Sequence, residues 1–198
     1  MYEQLIQDLK GMSANKFVIR EAEELADRLL REGGYFGNVG ATPVVTIANN
    51  LGFTSFKEDI KDKNVSGNIF VGGTTKEVYG VDKVIIVGSD EVYEHQRFII
   101  AHELAHYLMD YPGSEAYDDP RKIFTETYLK VKHDSMREIR ADRFAAELLM
   151  PKEVFLDQYI KHMIWFDYNR ERTISRLSKI FKTKKSSIVR RISEIKDQ

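Results

Sequence analysis

The run Arg97-Phe98-Ile99-Ile100-Ala101-His102-Glu103-Leu104-Ala105-His106-Tyr107-Leu108-Met109 carries an H-E-x-x-H pattern inside an apolar, helix-favouring context. On an α-helix, residues four apart stand about 40° apart around the axis and ~6 Å apart along it. His102 and His106 can therefore direct one ring nitrogen each to a single metal ion. Glu103, turned by roughly 100° from His102, stands beside such an ion and can take a proton from a water. Zinc chemistry needs this spacing, because the metal prefers short bonds to neutral imidazoles with a base close by.

Two histidines leave a third protein ligand to be found. The extended pattern that supplies a third histidine from the same segment needs Gly at 109 and His at 112; this chain has Met109 and Pro112. A carboxylate from a second helix is the alternative. Met136–Met150 offers one: Ile139, Phe144, Leu148 and Leu149 with several Ala mark a helix with a buried side, and Pro151 closes it. Glu138 and Asp142 lie four apart and share a face. The expectation is Glu138 on the metal and Asp142 accepting the other ring N–H of His102, since metal-bound imidazoles usually need such a partner. A solvated cluster with Arg137 and Arg143 is the bland alternative, and Asp110, one turn after His106, is the fallback ligand.

Together, Ala101-His-Glu-Leu-Ala-His106 and Glu138-x-x-Ala141-Asp142-x-Phe144-Ala145-x-x-Leu148-Leu149-Met150-Pro151 resemble the ImmA/IrrE-type metallopeptidases over roughly residues 40–195. The resemblance implies an α+β, zincin-like, gluzincin-like fold with one zinc per chain on His102, His106 and Glu138, and Glu103 as general base. It also implies a protein substrate, a helix-turn-helix transcriptional repressor of a phage, mobile element or stress pathway. Two positions depart from the pattern. Ala105 stands where relatives often carry Gly, and Asp142 where they often carry Asn, which changes the charge beside the site.

Composition narrows the class. In 198 residues, 42% hydrophobic and 31% charged content is that of an ordinary globular chain. The absence of Cys excludes disulfides, thiolate metal sites and a cysteine nucleophile. No basic-then-apolar leader opens the sequence and no apolar run approaches membrane-spanning length, so the expected location is cytoplasmic without membrane contact. Residues 170–198 hold ten Lys/Arg against three Asp/Glu, a local +7 that leaves −8 on residues 1–169. Such a tail is a candidate nucleic-acid surface, but a solvated helix face is the commoner meaning.

In chain order, residues 2–32 read as two helices broken near Gly11-Met12-Ser13, with Gly33-Gly34 as the stop. Relatives often carry an N-terminal DNA-binding domain, for which this segment is too short. Thr42-Pro43 reads as an N-cap and first helical position, with Gly52 ending that helix. Phe53–Ile60, Asn68–Gly72 and Lys83–Gly88 read as a small three-stranded sheet preceding the H-E-x-x-H helix. Ser89 or Asp90 is expected to cap that helix and Pro112-Gly113 to stop it. Residues 113–134 show no clear period beyond a short helix near Ile123–Tyr128; Tyr117, Tyr128 and His133 there are candidate donors to a developing oxyanion. His95 and His162 receive no role. A helix over Val154–His162 follows, with Trp165 and Phe166 expected in core or domain contacts. Thr173–Phe181 and Ser186–Ile195 form a pair like a helix-turn-helix, read as packing against the core. The expected division is an N-terminal helical segment (1–40), a metallopeptidase core (41–169) and the basic helix pair (170–198).

Three functions follow: a zinc endopeptidase, a regulator that binds DNA or a partner around a non-catalytic metal site, or a component of a toxin–antitoxin pair. Glu103 favours the first, because a purely structural zinc needs no free carboxylate beside it. Direct nucleic-acid binding is not expected.

Overall fold

A helix that is apolar on every side must be surrounded, and the stretch around His102 is such a helix. In the computed structural model, which describes residues 2–9, 19–119, 121–129 and 135–196, it spans Tyr93–Met109 and is buried from Ile99 to its end. Before it come helices α1 (Glu3–Leu9), α2 (Ile19–Glu32), α3 (Val44–Asn50) and α4 (Thr75–Tyr79), and strands β1 (Thr54–Glu58), β2 (Val65–Gly72) and β3 (Lys83–Gly88). The central helix is therefore α5. A 3₁₀ turn (Tyr111–Gly113), a short helix α6 (Glu115–Asp118), strand β4 (Ile123–Leu129) and helices α7 (Met136–Leu149), α8 (Lys152–Trp165), α9 (Arg170–Phe181) and α10 (Lys185–Lys196) follow.

The fold is α+β and mostly helical. Its sheet has four strands in the order β1-β3-β2-β4, not three, with β1 parallel to β3 and the other two pairings antiparallel. The added strand is the segment whose sequence reads as a short helix near Ile123–Tyr128. Phe, Thr and Tyr favour a strand there, but pairing with β2 from Gly72↔Ile123 to Val65↔Leu129 is what organises it. The sheet lies close against α5 because Gly67 of β2 has no side chain: a Cβ there would meet Ile99 Cγ2 at 2.3 Å. On another side α5 packs against α7, which in turn packs against α2.

Three caps differ from their sequence reading. Thr42 does not cap α3; its hydroxyl donates to Leu148 O across the core at 2.8 Å. The first residue outside α5 is Val92, with no side-chain cap, since Ser89–Glu91 are used in the turn off β3, where Ser89 N–H bonds Glu58 O at 2.8 Å. At the other end α5 stops at Met109, before Pro112, and the chain turns through the 3₁₀ segment. Trp165 is also a correction. It is 73% exposed at the end of α8, while Phe166 stacks on His162 with centroids 5.9 Å apart. The break near Gly11-Met12-Ser13 lies outside the described residues.

The basic helix pair meets the core through its apolar stripe and its charges. Leu177, Phe181, Ile188 and Ile192 are buried. Arg191 is 1% exposed, donates to Met150 O at 3.1 Å and pairs with Glu147. Part of the local +7 is thus inside the protein.

Candidate metal centre

The site is built where α5 and α7 face each other. The four-residue spacing on α5 brings the two imidazoles together, with His106 Nε2 3.0 Å from His102 Nε2. Glu138 enters from the first turn of α7, where Ser135 Oγ caps the helix by accepting from the Glu138 N–H at 3.2 Å. A carboxylate at that end also sits in the favourable field of the helix N-terminus. Its Oε2 lies 3.1 Å from His102 Nε2 and its Oε1 3.4 Å from His106 Nε2.

The far side of each imidazole faces an aspartate. His102 Nδ1 lies 3.2 Å from Asp142 Oδ1, and His106 Nδ1 lies 2.7 Å from Asp110 Oδ2. If each Nδ1–H donates to its aspartate, both Nε2 atoms present lone pairs toward Glu138. Three acceptors then converge with no donor between them, which is the chemistry of a cation site. Their separations of 3.0, 3.1 and 3.4 Å match the edge of about 3.3 Å expected for a tetrahedron with bonds of ~2.0–2.1 Å. The donor set therefore fits zinc. Asp110, the fallback ligand, is on the opposite ring nitrogen and outside this group.

Arginines hold both aspartates. Arg190 of α10 donates to Asp142 Oδ2 at 3.0 Å, and Arg137 donates to Asp110 Oδ2 at 2.8 Å while also pairing with Glu126 of β4. Sequence reasoning places Arg137 only in a solvated charge cluster with Glu138 and gives Arg190 no part in the site. Arg137 stands next to Glu138, but nothing marks Arg190 in the sequence, 48 residues beyond its partner. Asp110 was legible in principle, because the same i, i+4 spacing that suits a ligand also suits an acceptor for the other nitrogen.

The electrostatics follow from this geometry. Burial opposes charge on both imidazoles, yet Asp142 and Glu138 outweigh it at His102, and Asp110 and Glu138 push His106 up to about 10. Burial raises Glu138, but the two imidazoles hold it well below the usual carboxylate range. The cluster is therefore a strong attractor of positive charge. Glu103 behaves differently. It is fully buried, and neither carboxylate oxygen has a hydrogen-bond partner among the described residues. Burial pushes its carboxyl up to about 7, against the pull of His106 and His102. A divalent cation on those imidazoles would draw it down again.

Of the candidate oxyanion donors, Tyr128 alone is seen at the site. Its ring meets the edge of His102 with centroids 4.8 Å apart, and burial followed by Asp142 raises its pKa, which keeps the phenol protonated. Tyr117 instead lines a small apolar cavity with Ile6, Leu9 and Tyr107, on the side of α1. His133 lies outside the described residues. His95 bonds Glu91 at 2.6 Å, and His162 stays away from the centre, packed on Phe166.

The profile of the IrrE N-terminal-like domain, a peptidase family, matches residues 48–193. The chain belongs to this family. That match spans the sheet, the α5–α7 centre and most of the basic helix pair. No curated protein sequence matches significantly. Among solved structures, a Mycobacterium tuberculosis transcriptional regulator is similar at TM-score 0.54 and 16% identity, covering 97% of this chain and 52% of that one. This chain thus spans about half of that protein's length, and the likeness is one of fold. Among the described residues, no helix is long and apolar enough to cross a membrane.

Proposed function

We propose that this protein is a zinc-dependent endopeptidase whose substrate is a helix-turn-helix transcriptional repressor. His102, His106 and Glu138 would hold the metal. When bound, zinc supplies Lewis acidity toward a water and a substrate carbonyl. Glu103 accepts the proton of the attacking water and returns it to the leaving amine as the C–N bond breaks. Asp142 and Asp110 orient the imidazoles by accepting their Nδ1–H, so that Nε2 is the ring nitrogen each presents to the metal. The Tyr128 phenol, held protonated, is the candidate donor to the oxyanion. A substrate segment would lie along β4, the edge strand beside the site, as an added strand.

The observation that carries this reading is Glu103. A buried carboxylate without a partner is costly, and it is tolerated where chemistry uses it. A non-catalytic metal site, whether in a DNA- or partner-binding regulator or in a toxin–antitoxin component, gives Glu103 nothing to do. Direct DNA contact through Arg191 is also disfavoured, since this residue of the basic tail is 1% exposed and paired with Glu147. The test is incubation with a candidate helix-turn-helix repressor from the same source. Repressor fragments are expected on a gel, lost on treatment with a zinc chelator and restored by added zinc. Relief of repression without fragments, or cleavage indifferent to chelation, would sink the proposal.

A smaller effect tests the outer carboxylate. Asp142→Ala is expected to weaken zinc binding by about 10–100-fold, because His102 loses the acceptor that fixes its orientation. Asp142→Asn should cost less, since an amide oxygen still accepts from Nδ1–H. Chelator competition reads both; equal affinity in all three proteins would remove Asp142 from the design.

A further inference from the structure

At the corner between α8 and α9 four large apolar side chains face water. Ile160 and Ile164, one turn apart on α8, are 56% and 62% exposed, and Trp165 and Tyr168 just beyond them are 73% and 71% exposed. Next to them opens a groove of about 420 Å³ whose lining includes Phe166, Arg172, Arg176 and Lys179. We propose that this corner docks an amphipathic helix of a partner protein, one whose apolar stripe is flanked by Asp or Glu. The proposal is independent of the peptidase reading, since no residue of the corner belongs to the metal centre.

Folding does not account for the patch. The face of α8 that meets the core carries Val154, Phe155, Gln158 and His162, so Ile160 and Ile164 stand on the other side of the helix. Single exposed apolar residues are ordinary, but a cluster of this kind marks a surface that something covers. The backbone points the same way. Asp167 and Tyr168 both take positive φ, 49° and 59°, and a residue as bulky as Tyr rarely adopts that conformation. The turn is held by the Tyr168 N–H, which donates to Met163 O at 2.7 Å. Strain of this sort collects where a ligand is gripped, and here it keeps Tyr168 on the surface.

Charge decides the occupant. Arg172, Arg176 and Lys179 recur along one face of α9 at helical spacing, and their side chains form no ion pair among the described residues. Carboxylates on one flank of a docked helix match that row, while its apolar stripe covers the isoleucines and Trp165. Other occupants fit less well. A second copy of the same surface would set the two cationic rows against each other. Nucleic acid carries charge along its whole length and would bring phosphates against Asp157, Asp167 and Glu171, which are exposed around the corner. It also gains nothing from two isoleucines, which offer no flat face to a base. The same three carboxylates oppose an anionic bilayer. An amphipathic helix confines its charge to one flank and avoids them.

Trp165 is the only tryptophan of the chain, so its fluorescence reports on the corner directly. The probe is a helical peptide with Leu at i, i+3, i+4 and i+7 and Glu on one flank, free of Trp and Tyr. Titrated into the full chain, it should shift the Trp165 emission to shorter wavelength in a saturable way, with an affinity that falls as salt rises. Arg172→Glu and Arg176→Glu together should weaken binding by about 10-fold or more, and Ile164→Glu by a similar factor, with zinc content unchanged. Ile164→Ser serves if the Glu variant does not fold. The same peptide with Lys in place of Glu should bind the parent about 10-fold more weakly and bind the double charge reversal better than the parent. Equal binding of the Glu and Lys peptides, or no emission shift with either, would overturn the proposal. So would a tighter response to single-stranded DNA or to phosphatidylserine vesicles than to the Glu peptide. Dimerisation in sedimentation runs that Ile164→Glu abolishes would assign the corner to a second copy of this chain instead.

Discussion

Glu103→Gln is expected to keep the fold and its zinc while losing repressor cleavage by about 10²–10⁴-fold, the usual contribution of a positioned base. The substitution preserves shape and removes the one group that can accept a proton from water at that position. Glu103 contributes no atom to the convergent donor set, which consists of His102, His106 and Glu138. Metal content should therefore be unchanged by elemental analysis. The fold should be retained or slightly stabilised, because a neutral amide replaces a carboxyl that burial disfavours in its charged form. A melting curve and a zinc measurement accompany the gel assay. Were Glu103→Gln to relieve repression as well as the parent with no fragment formed, the protein would act by binding, whatever metal it holds.

Replacing a ligand should act earlier in the chain of causes. Glu138→Ala removes the only carboxylate of the donor set and leaves two imidazoles facing each other at 3.0 Å. The loss should exceed the roughly 10–100-fold expected for an outer-shell change and bring zinc occupancy near zero after dialysis. The same is expected for His102→Ala and His106→Ala. Elemental analysis distinguishes this from the Glu103 result, since metal and cleavage disappear together here and separately there. Full occupancy in Glu138→Ala would move the third ligand elsewhere. Asp110 is poorly placed to replace it, being already engaged by His106 Nδ1 and Arg137.

The residues around His102 announce the centre because helical periodicity is local: a four-residue spacing puts two side chains on one face in any context that keeps the helix. The same rule applied to Glu138 and Asp142 places both carboxylates on one side of α7. Local periodicity also carried the boundaries of β3 and the existence, though not the ends, of most of the longer helices. It could not supply β4. Ile123–Leu129 has strand-forming residues, but its state depends on hydrogen bonds to β2, more than fifty residues earlier. Nor could it tell which face of an imidazole meets Asp110, since ligand and outer acceptor share one spacing and differ only in the rotation of a ring. The burial of Arg191, the hold of Arg190 on Asp142, and the exposure of Trp165 are outcomes of packing between distant elements. A basic run reads the same in sequence whether its charges face water or carboxylates. Tertiary structure chose the second for Arg191, because the apolar stripe of α10 has to be buried against the core and carries it in, while Arg190 pairs with Asp142 from a position still exposed to water.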